Sequence, residues 1–374
     1  MGFFEPGIFF ERESNPFEGG DIMLGQKRIR DYGIKVGRIE TGPRNSITDI
    51  EGVKVGHVTI NSDQVRTGVT AVIPHEGNTF LEKVSASCHV INGFGKSAGL
   101  VQIEELGTLE TPLILTNTFS VGTSINALLR YMFGRNPDIG ASTGTVNPVI
   151  MECNDGFLND IRGLHVKEEH ILKALEDSEL DFLEGSVGGG TGMSCYQLKG
   201  GIGTSSRKIN LDRDVPGYTL GVLVQSNFGK FRDLTVNGRR PSPELIELAV
   251  VEESSRNPGS IIVIIATDLP LSERQLKRVC RRASVGISRT GSYMENGSGE
   301  IALAFTTHGR IPHYRQSCVI ERKVLHEDLM DRVFEASVEA VEEAILNSMI
   351  CADPVTGREG NSRTSLKQWI HRFL

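Results

Sequence analysis

Apolar positions along this chain follow two rhythms. The run Ile261-Ile262-Val263-Ile264-Ile265-Ala266 is too short for a typical helix and is rich in β-branched residues, so it predicts a buried strand. Residues 112–117 and 219–225 predict further buried strands, and 47–50, 53–58 and 70–73 alternate with glycine turns in a strand-turn-strand pattern. Apolar residues three and four apart predict helices over 124–133 and 167–175. The clearest helix signal is Ser272 with Gln275 three residues on, a capping box, after which Leu276, Val279, Cys280 and Ala283 line one face until Gly286 ends the pattern. A last helix is predicted over 328–349, with Met330, Phe334, Val338, Val341 and Ile345 on one stripe. Strands in the middle with amphipathic helices around them predict a layered α/β fold, helices covering two stacked sheets. Arg239 to Pro258, rich in arginine and proline at its start, reads as an exposed connection.

Composition narrows the function classes. The chain has 374 residues, 39% hydrophobic and 23% charged, which describes a soluble globular protein with room for a substantial core. A net charge of -7 argues against nucleic acid as a partner, because a phosphate backbone calls for a basic field. The basic group Arg274, Lys277, Arg278, Arg281 and Arg282 lies on a predicted helix and reads as a solvated or intersubunit face. Six cysteines are scattered without a CxxC pair or a histidine at metal-ligand spacing, so they read as reduced thiols, and neither metal nor cofactor is expected. Residues 1–27 read as an N-terminal extension, with Met23 a candidate second start; they lack the basic opening and continuous apolar core of a signal peptide. The longest apolar runs fall well short of the roughly 20 residues that span a bilayer, so no membrane partner is expected and the cytoplasm is the expected location.

Three stretches invite a chemical reading. Val187 to Gly192 is glycine-rich, but it lacks both the Walker ending and the Rossmann spacing, and close backbone packing accounts for it better than a phosphate cradle. His57, His75 and His89 stand near glycine-rich turns as candidate bases, yet no Gly-x-Ser-x-Gly elbow accompanies them. In Asn296-Gly297-Ser298-Gly299-Glu300, the serine and the glutamate are two apart, so an extended chain would send both side chains to one face; the same residues also suit a plain turn before a strand.

Asn257-Pro258-Gly259-Ser260 sets a hydroxyl at the mouth of the predicted strand 261–266, after a residue with no side chain to block attack on its carbonyl. Pro-Gly is a turn signature in its own right. If Ser260 attacks Gly259 instead, the chain cuts itself and exposes an N-terminal serine carrying both a nucleophile and an amine.

Taken together, the chain resembles the L-aminopeptidase/D-Ala-esterase/amidase family, which includes the β-peptidyl aminopeptidases. The resemblance rests on Gly42-Pro43-Arg44-Asn45-Ser46-Ile47-Thr48-Asp49, Val53-Lys54-Val55-Gly56-His57, Thr67-Gly68-Val69-Thr70-Ala71, Glu152-Cys153-Asn154-Asp155-Gly156, the glycine region from Gly188 to Gly203, Ser226-Asn227-Phe228-Gly229, Gly259-Ser260 and Asn296 to Glu300. It covers nearly everything after Arg28.

What the resemblance implies is a four-layer αββα sandwich similar to the N-terminal-nucleophile hydrolases but differently connected, spanning 28–374. It implies a proenzyme cut between Gly259 and Ser260 into an α chain 1–259 and a β chain 260–374, assembled as tetramers of αβ units. Such enzymes release N-terminal residues from short peptides, amides and esters without a cofactor. Carried onto this sequence, Ser260 is the nucleophile and its freed amine the base; Asn227 serves the oxyanion; Ser298 and Glu300 orient the amine and hydroxyl; Glu152 grips the substrate's amino group. Some members place a tyrosine hydroxyl after that glutamate, where this chain has Asn154 and then Phe157, making Asn154 a candidate donor at the substrate. Two alternatives stay open: acyl transfer, as in the related ornithine acetyltransferases, and an uncleaved scaffold of the same fold.

Overall fold

A computed structural model of the chain describes residues 26–211, 217–248 and 259–374. In chain order the elements are β1 (Lys54–Ser62), β2 (Val65–Ile73), β3 (Glu82–Gly93), α1 (Leu100–Leu106), β4 (Thr108–Leu109), β5 (Leu113–Asn117), α2 (Val121–Arg135), β6 (Val149–Cys153) and α3 (Glu168–Glu176). There follow β7 (Ser194–Cys195), β8 (Leu198–Lys199), β9 (Gly201–Ile209), β10 (Tyr218–Asn227), α4 (Pro243–Leu248), β11 (Ser260–Thr267), α5 (Glu273–Arg289), β12 (Gly299–Pro312) and α6 (Met330–Ile350). One sheet has the order β1-β2-β5-β6, the other β4-β3-β12-β11-β10-β9.

Side-chain alternation on the strands assigns each face to a layer. On β11, Ile261, Val263 and Ile265 join a core with Leu276 and Val279 of α5 and Val333, Val341 and Ile345 of α6. The intervening Ile262, Ile264 and Ala266 face Val72, Leu113, Leu115 and Met151 of the smaller sheet. That sheet's other face, through Val69, Ala71, Ile114 and Ile150, packs on Ala127 and Leu128 of α2 and Ile171 of α3. Three cores between four layers make the expected αββα sandwich. Each fully buried Ile or Val contributes roughly 1.5–3 kcal/mol, so β11, buried along its whole length, anchors two cores at once.

Several expectations need correction at the edges. Residues 47–50 do not form a strand: Ile47–Asp49 is a 3₁₀ turn in which Ser46 Oγ accepts from Thr48 N and the Asp49 carboxylate accepts from Ser46 N. The polar caps outweigh the alternation. Gly286 does not end α5, which continues to Arg289. A Cβ on Gly286 would lie 2.7 Å from Val341 Cβ, so this glycine lets α5 and α6 approach. Within the predicted connection, Pro243–Leu248 is a short helix, and residues 249–258 lie outside the described residues, as do Met23 and the N-terminal extension up to residue 25. β3 and β9 carry too many small and polar residues to announce themselves as strands. On β9 the reason is contact: a Cβ on Gly203 would sit 2.0 Å from the Ala344 carbonyl oxygen, so α6 rests on the strand's main chain. Among the described residues no helix is long and apolar enough to cross a membrane.

The outer helix α6 is fixed by a buried ion network. Arg207 on β9 is fully buried and donates to Glu339 Oε2 at 3.1 Å and Glu343 Oε2 at 2.7 Å. Glu343 also accepts both arms of Arg30 at 2.6 Å and Asn45 Nδ2 at 2.6 Å, and these donors hold its carboxyl below the usual range against the opposing effect of burial. Removing one partner strands a buried charge. Arg207→Met is therefore expected to lower stability by about 3–5 kcal/mol, read as a fall in the urea midpoint with unchanged slope.

Candidate active site

β10 and β11 run antiparallel with Asn227 opposite Ser260, while β12 lies on the other side of β11 with Gly299 beside Ser260. The ladder thus gathers Asn227, Ser260, Ser298 and Glu300 at one end of the six-stranded sheet. All four are buried. Ser260 Oγ donates to the carbonyl oxygen of Gly259 at 2.7 Å. That same oxygen accepts the Gly299 N–H at 3.1 Å.

Asn227 is held at both ends. Its Oδ1 accepts from Ser194 N at 2.8 Å and its Nδ2 donates to the Asn154 carbonyl at 2.8 Å, leaving one amide hydrogen uncommitted among the described residues. Ser194 belongs to the β7-β8 hairpin, where it pairs with Lys199. The buried Lys199 ammonium in turn donates to the carbonyls of Gly190 at 2.9 Å and Gly200 at 2.7 Å. Burial pushes Lys199 down to about 7. The glycine-rich region, read from sequence as close packing, is that: a Cβ on Gly190 would lie 2.5 Å from Ile202 N.

Glu300 reaches no hydrogen-bond partner with either oxygen among the described residues, and neither does Ser298 Oγ. Burial pushes the Glu300 carboxyl up, while its neighbours Ser298 and Asn92 pull it back. Asn92 also donates to the Ser298 carbonyl and to the Glu295 carbonyl, the latter at 2.9 Å, fixing the turn that carries Ser298. A buried carboxylate and hydroxyl with open valences beside a strand mouth are poised to receive a cationic or proton-donating group.

Glu152 enters from the other sheet, at the end of β6. Its Oε1 accepts from Lys96 N at 2.7 Å and its Oε2 from Thr118 Oγ1. Burial pushes the neighbouring Cys153 thiol well above its ordinary value, and the charges of Glu152 and Glu300 add to the rise. Asn154 spends its Oδ1 on Gly156 N at 2.9 Å, and its main-chain carbonyl is what holds Asn227. Through that carbonyl Asn154 also positions Asn227.

The candidate histidines stand elsewhere. His57 bonds Thr70 Oγ1 at 2.9 Å, and burial lowers it to about 4; His75 contacts the Glu82 carbonyl at 2.9 Å; His89 sits on β3 opposite Ala302. Lys96, Thr118, Asn92 and Ser194, which hold the site together, carried no motif. The Asn92-Gly93-Phe94-Gly95 stretch is a turn signal that could have marked one of these loops.

The model of peptidase family S58 matches residues 45–363. The chain belongs to peptidase family S58. It is 39% identical over 355 residues to the β-peptidyl aminopeptidase BapA of Sphingosinicella microcystinivorans, covering 89% of this chain and 88% of that one. Among solved structures it is similar to the PH0078 protein of Pyrococcus horikoshii OT3, with 50% identity and a TM-score of 0.86 over 93% of this chain and 98% of that one. It is also similar to the L-aminopeptidase D-Ala-esterase/amidase of Ochrobactrum anthropi, a serine aminopeptidase described as a variant of the Ntn hydrolase fold. That match has 36% identity and a TM-score of 0.82 over 91% and 98% of the two chains. This S58 member is a hydrolase of the aminopeptidase type.

Asp155, next to the carbonyl that holds Asn227, gives the site a pH signature. Burial raises it from an ordinary 3.8 to about 7, and its Oδ2 has no hydrogen-bond partner among the described residues. Between these values the folded chain keeps a proton that the unfolded chain has released, so this group's contribution to stability falls as pH rises through that window. Asp155→Asn is expected to have a higher urea midpoint than wild type at pH 8, the gap narrowing below pH 7 and closing near pH 4.

Proposed function

We propose that this aminopeptidase is self-processing and that Ser260 is its nucleophile, first toward its own chain and then toward substrate. The observation that carries the reading is the contact of Ser260 Oγ with the Gly259 carbonyl at 2.7 Å, at the mouth of a fully buried strand. Attack forms an Oγ–C bond and breaks the C–N bond, the hydroxyl proton ending on the departing nitrogen. Water then releases Gly259 as a carboxylate. The products are an α chain 1–259 and a β chain 260–374. The fragments would stay together, because β11 and β12 of the β chain lie between β3 and β10 of the α chain in one sheet.

In turnover the new α-amine, with an ordinary pKa of about 7.7–8.0, takes the Ser260 proton as Oγ attacks the substrate carbonyl. Ser298 and Glu300, buried beside the strand mouth with side-chain oxygens unpartnered among the described residues, suit the task of orienting that amine and balancing its charge. The free amide hydrogen of Asn227 serves the oxyanion. Glu152, already oriented by Lys96 N and Thr118 Oγ1, binds the substrate's ammonium and so restricts the enzyme to chain ends. Short peptides, aminoacyl amides and esters are the proposed substrates, in keeping with the β-peptidyl and esterase/amidase relatives. Assembly of four αβ units in the cytoplasm completes the proposal; exposed apolar residues such as Val101 and Val319, 86% and 75% accessible, support self-association.

Intact mass under denaturing conditions tests the central step. Wild type is expected as two fragments divided between Gly259 and Ser260, and Ser260→Ala as one uncut chain. An uncut wild type would return the scaffold alternative. Glu152→Gln in the processed enzyme is expected to lower kcat/KM for aminoacyl amides by roughly 10- to 150-fold, the worth of a charge-assisted hydrogen bond of about 1.5–3 kcal/mol, and to have no such effect on a substrate lacking the amino group.

A further inference from the structure

We propose that self-cleavage has an oxyanion donor of its own, the main-chain N–H of Gly299, distinct from the Asn227 amide that serves turnover. This rests on the self-processing reading of Ser260. The Gly299 N–H donates to the Gly259 carbonyl oxygen at 3.1 Å, extending the β11-β12 ladder one residue upstream of Ser260. It is therefore aimed at the atom on which negative charge develops when Oγ, 2.7 Å from the same oxygen, attacks the carbon. Asn227 makes no hydrogen bond to that oxygen; its carboxamide is held by Ser194 and Asn154.

Both glycines are required by contact. A Cβ on Gly299 would lie 2.7 Å from the Phe94 carbonyl oxygen, and one on Gly259 would lie 2.8 Å from Phe228 Cα. Three main chains thus close around the scissile carbonyl. A donor fixed in place by the ladder needs no reorganisation as charge develops, which solvent cannot match.

Two donors follow from the chemistry as well. In self-cleavage the nitrogen of Ser260 is the leaving group, bonded to the attacked carbon. In turnover the same nitrogen is the base, and the attacked carbonyl arrives with its amino group toward Glu152. The two carbonyl oxygens cannot occupy one position relative to Oγ, so one donor cannot serve both equally.

The test separates the two reactions. Chains made by cell-free synthesis are followed by denaturing mass spectrometry with hydroxylamine present, which intercepts the ester and isolates the first step. Asn227→Ala is expected to cut within about threefold of the wild-type rate while its turnover of an aminoacyl amide falls about 10²- to 10³-fold. Equal losses in cutting and turnover would overturn the proposal. In a second arm, without hydroxylamine, glycolic acid replaces Gly299 and exchanges only its N–H for an ester oxygen. Cutting is expected to slow about 10²- to 10³-fold in a chain that retains its circular dichroism, and cutting at the wild-type rate would overturn the assignment. A wild type that never cuts, or a Ser260→Ala chain that does, would sink the self-processing reading instead.

Discussion

No side chain fits between the main chains at the mouth of β11. Gly259 is pressed against Phe228 and Asn227, Gly299 against Phe94 and Gly95, and Ser260 stands between the two contacts. This crowding fixes the carbonyl of Gly259 in the ladder, where it accepts the N–H of Gly299 and the hydroxyl of Ser260. A looser junction would let the strand start wander, and a carbonyl free to turn away from its neighbour is not a target. The strand itself cannot move, because its alternate residues are committed to two different cores.

The groups around the junction are held by indirect means. Asn227 is gripped by the main chain of Ser194 and of Asn154, and behind those stand Lys199 and Asp155, both buried and both moved by burial toward neutrality. Glu152 is gripped by Lys96 N and Thr118 Oγ1. The side-chain oxygens of Glu300 and Ser298, by contrast, reach no hydrogen-bond partner among the described residues. Leaving polar atoms buried and unpaired costs on the order of 1–3 kcal/mol each, and a fold bears that cost where the atoms have work to do. The contrast divides the site into parts that must keep still and parts that await a partner, such as an amine exposed by a cut.

This arrangement is also positioned from far away. Arg207 and Glu343 bind α6 to β9 and to the segment around Arg30 and Asn45, and Gly203 and Gly286 bring α6 close to its neighbours on two sides. The outer layer clamps the larger sheet from behind while the smaller sheet faces it from the front. A polar network in a core is a poor source of net stability, but it allows few alternative packings.

The layered class, the strands β1, β2, β5, β10 and β11, the helices α2, α3, α5 and α6, and the Gly-Ser junction were legible in the sequence, because period-two runs, helical stripes, caps and turn residues act within a few positions of themselves. The resemblance carried by the ordered motifs named the candidate site residues and the family. The strands β3 and β9 were not legible, since their small and polar residues answer to helices and strands packed on them rather than to any local rhythm. Nor was the extension of α5 beyond Gly286, whose lack of a side chain serves contact with Val341. Only the tertiary structure decided that the Asn154 carbonyl holds Asn227, that Lys96 and Thr118 hold Glu152, that the histidines stand apart, and that Gly299 touches the Gly259 carbonyl. These relations join residues tens of positions apart, and a hydrogen bond's partner is chosen by how whole layers meet, which no short window of sequence contains.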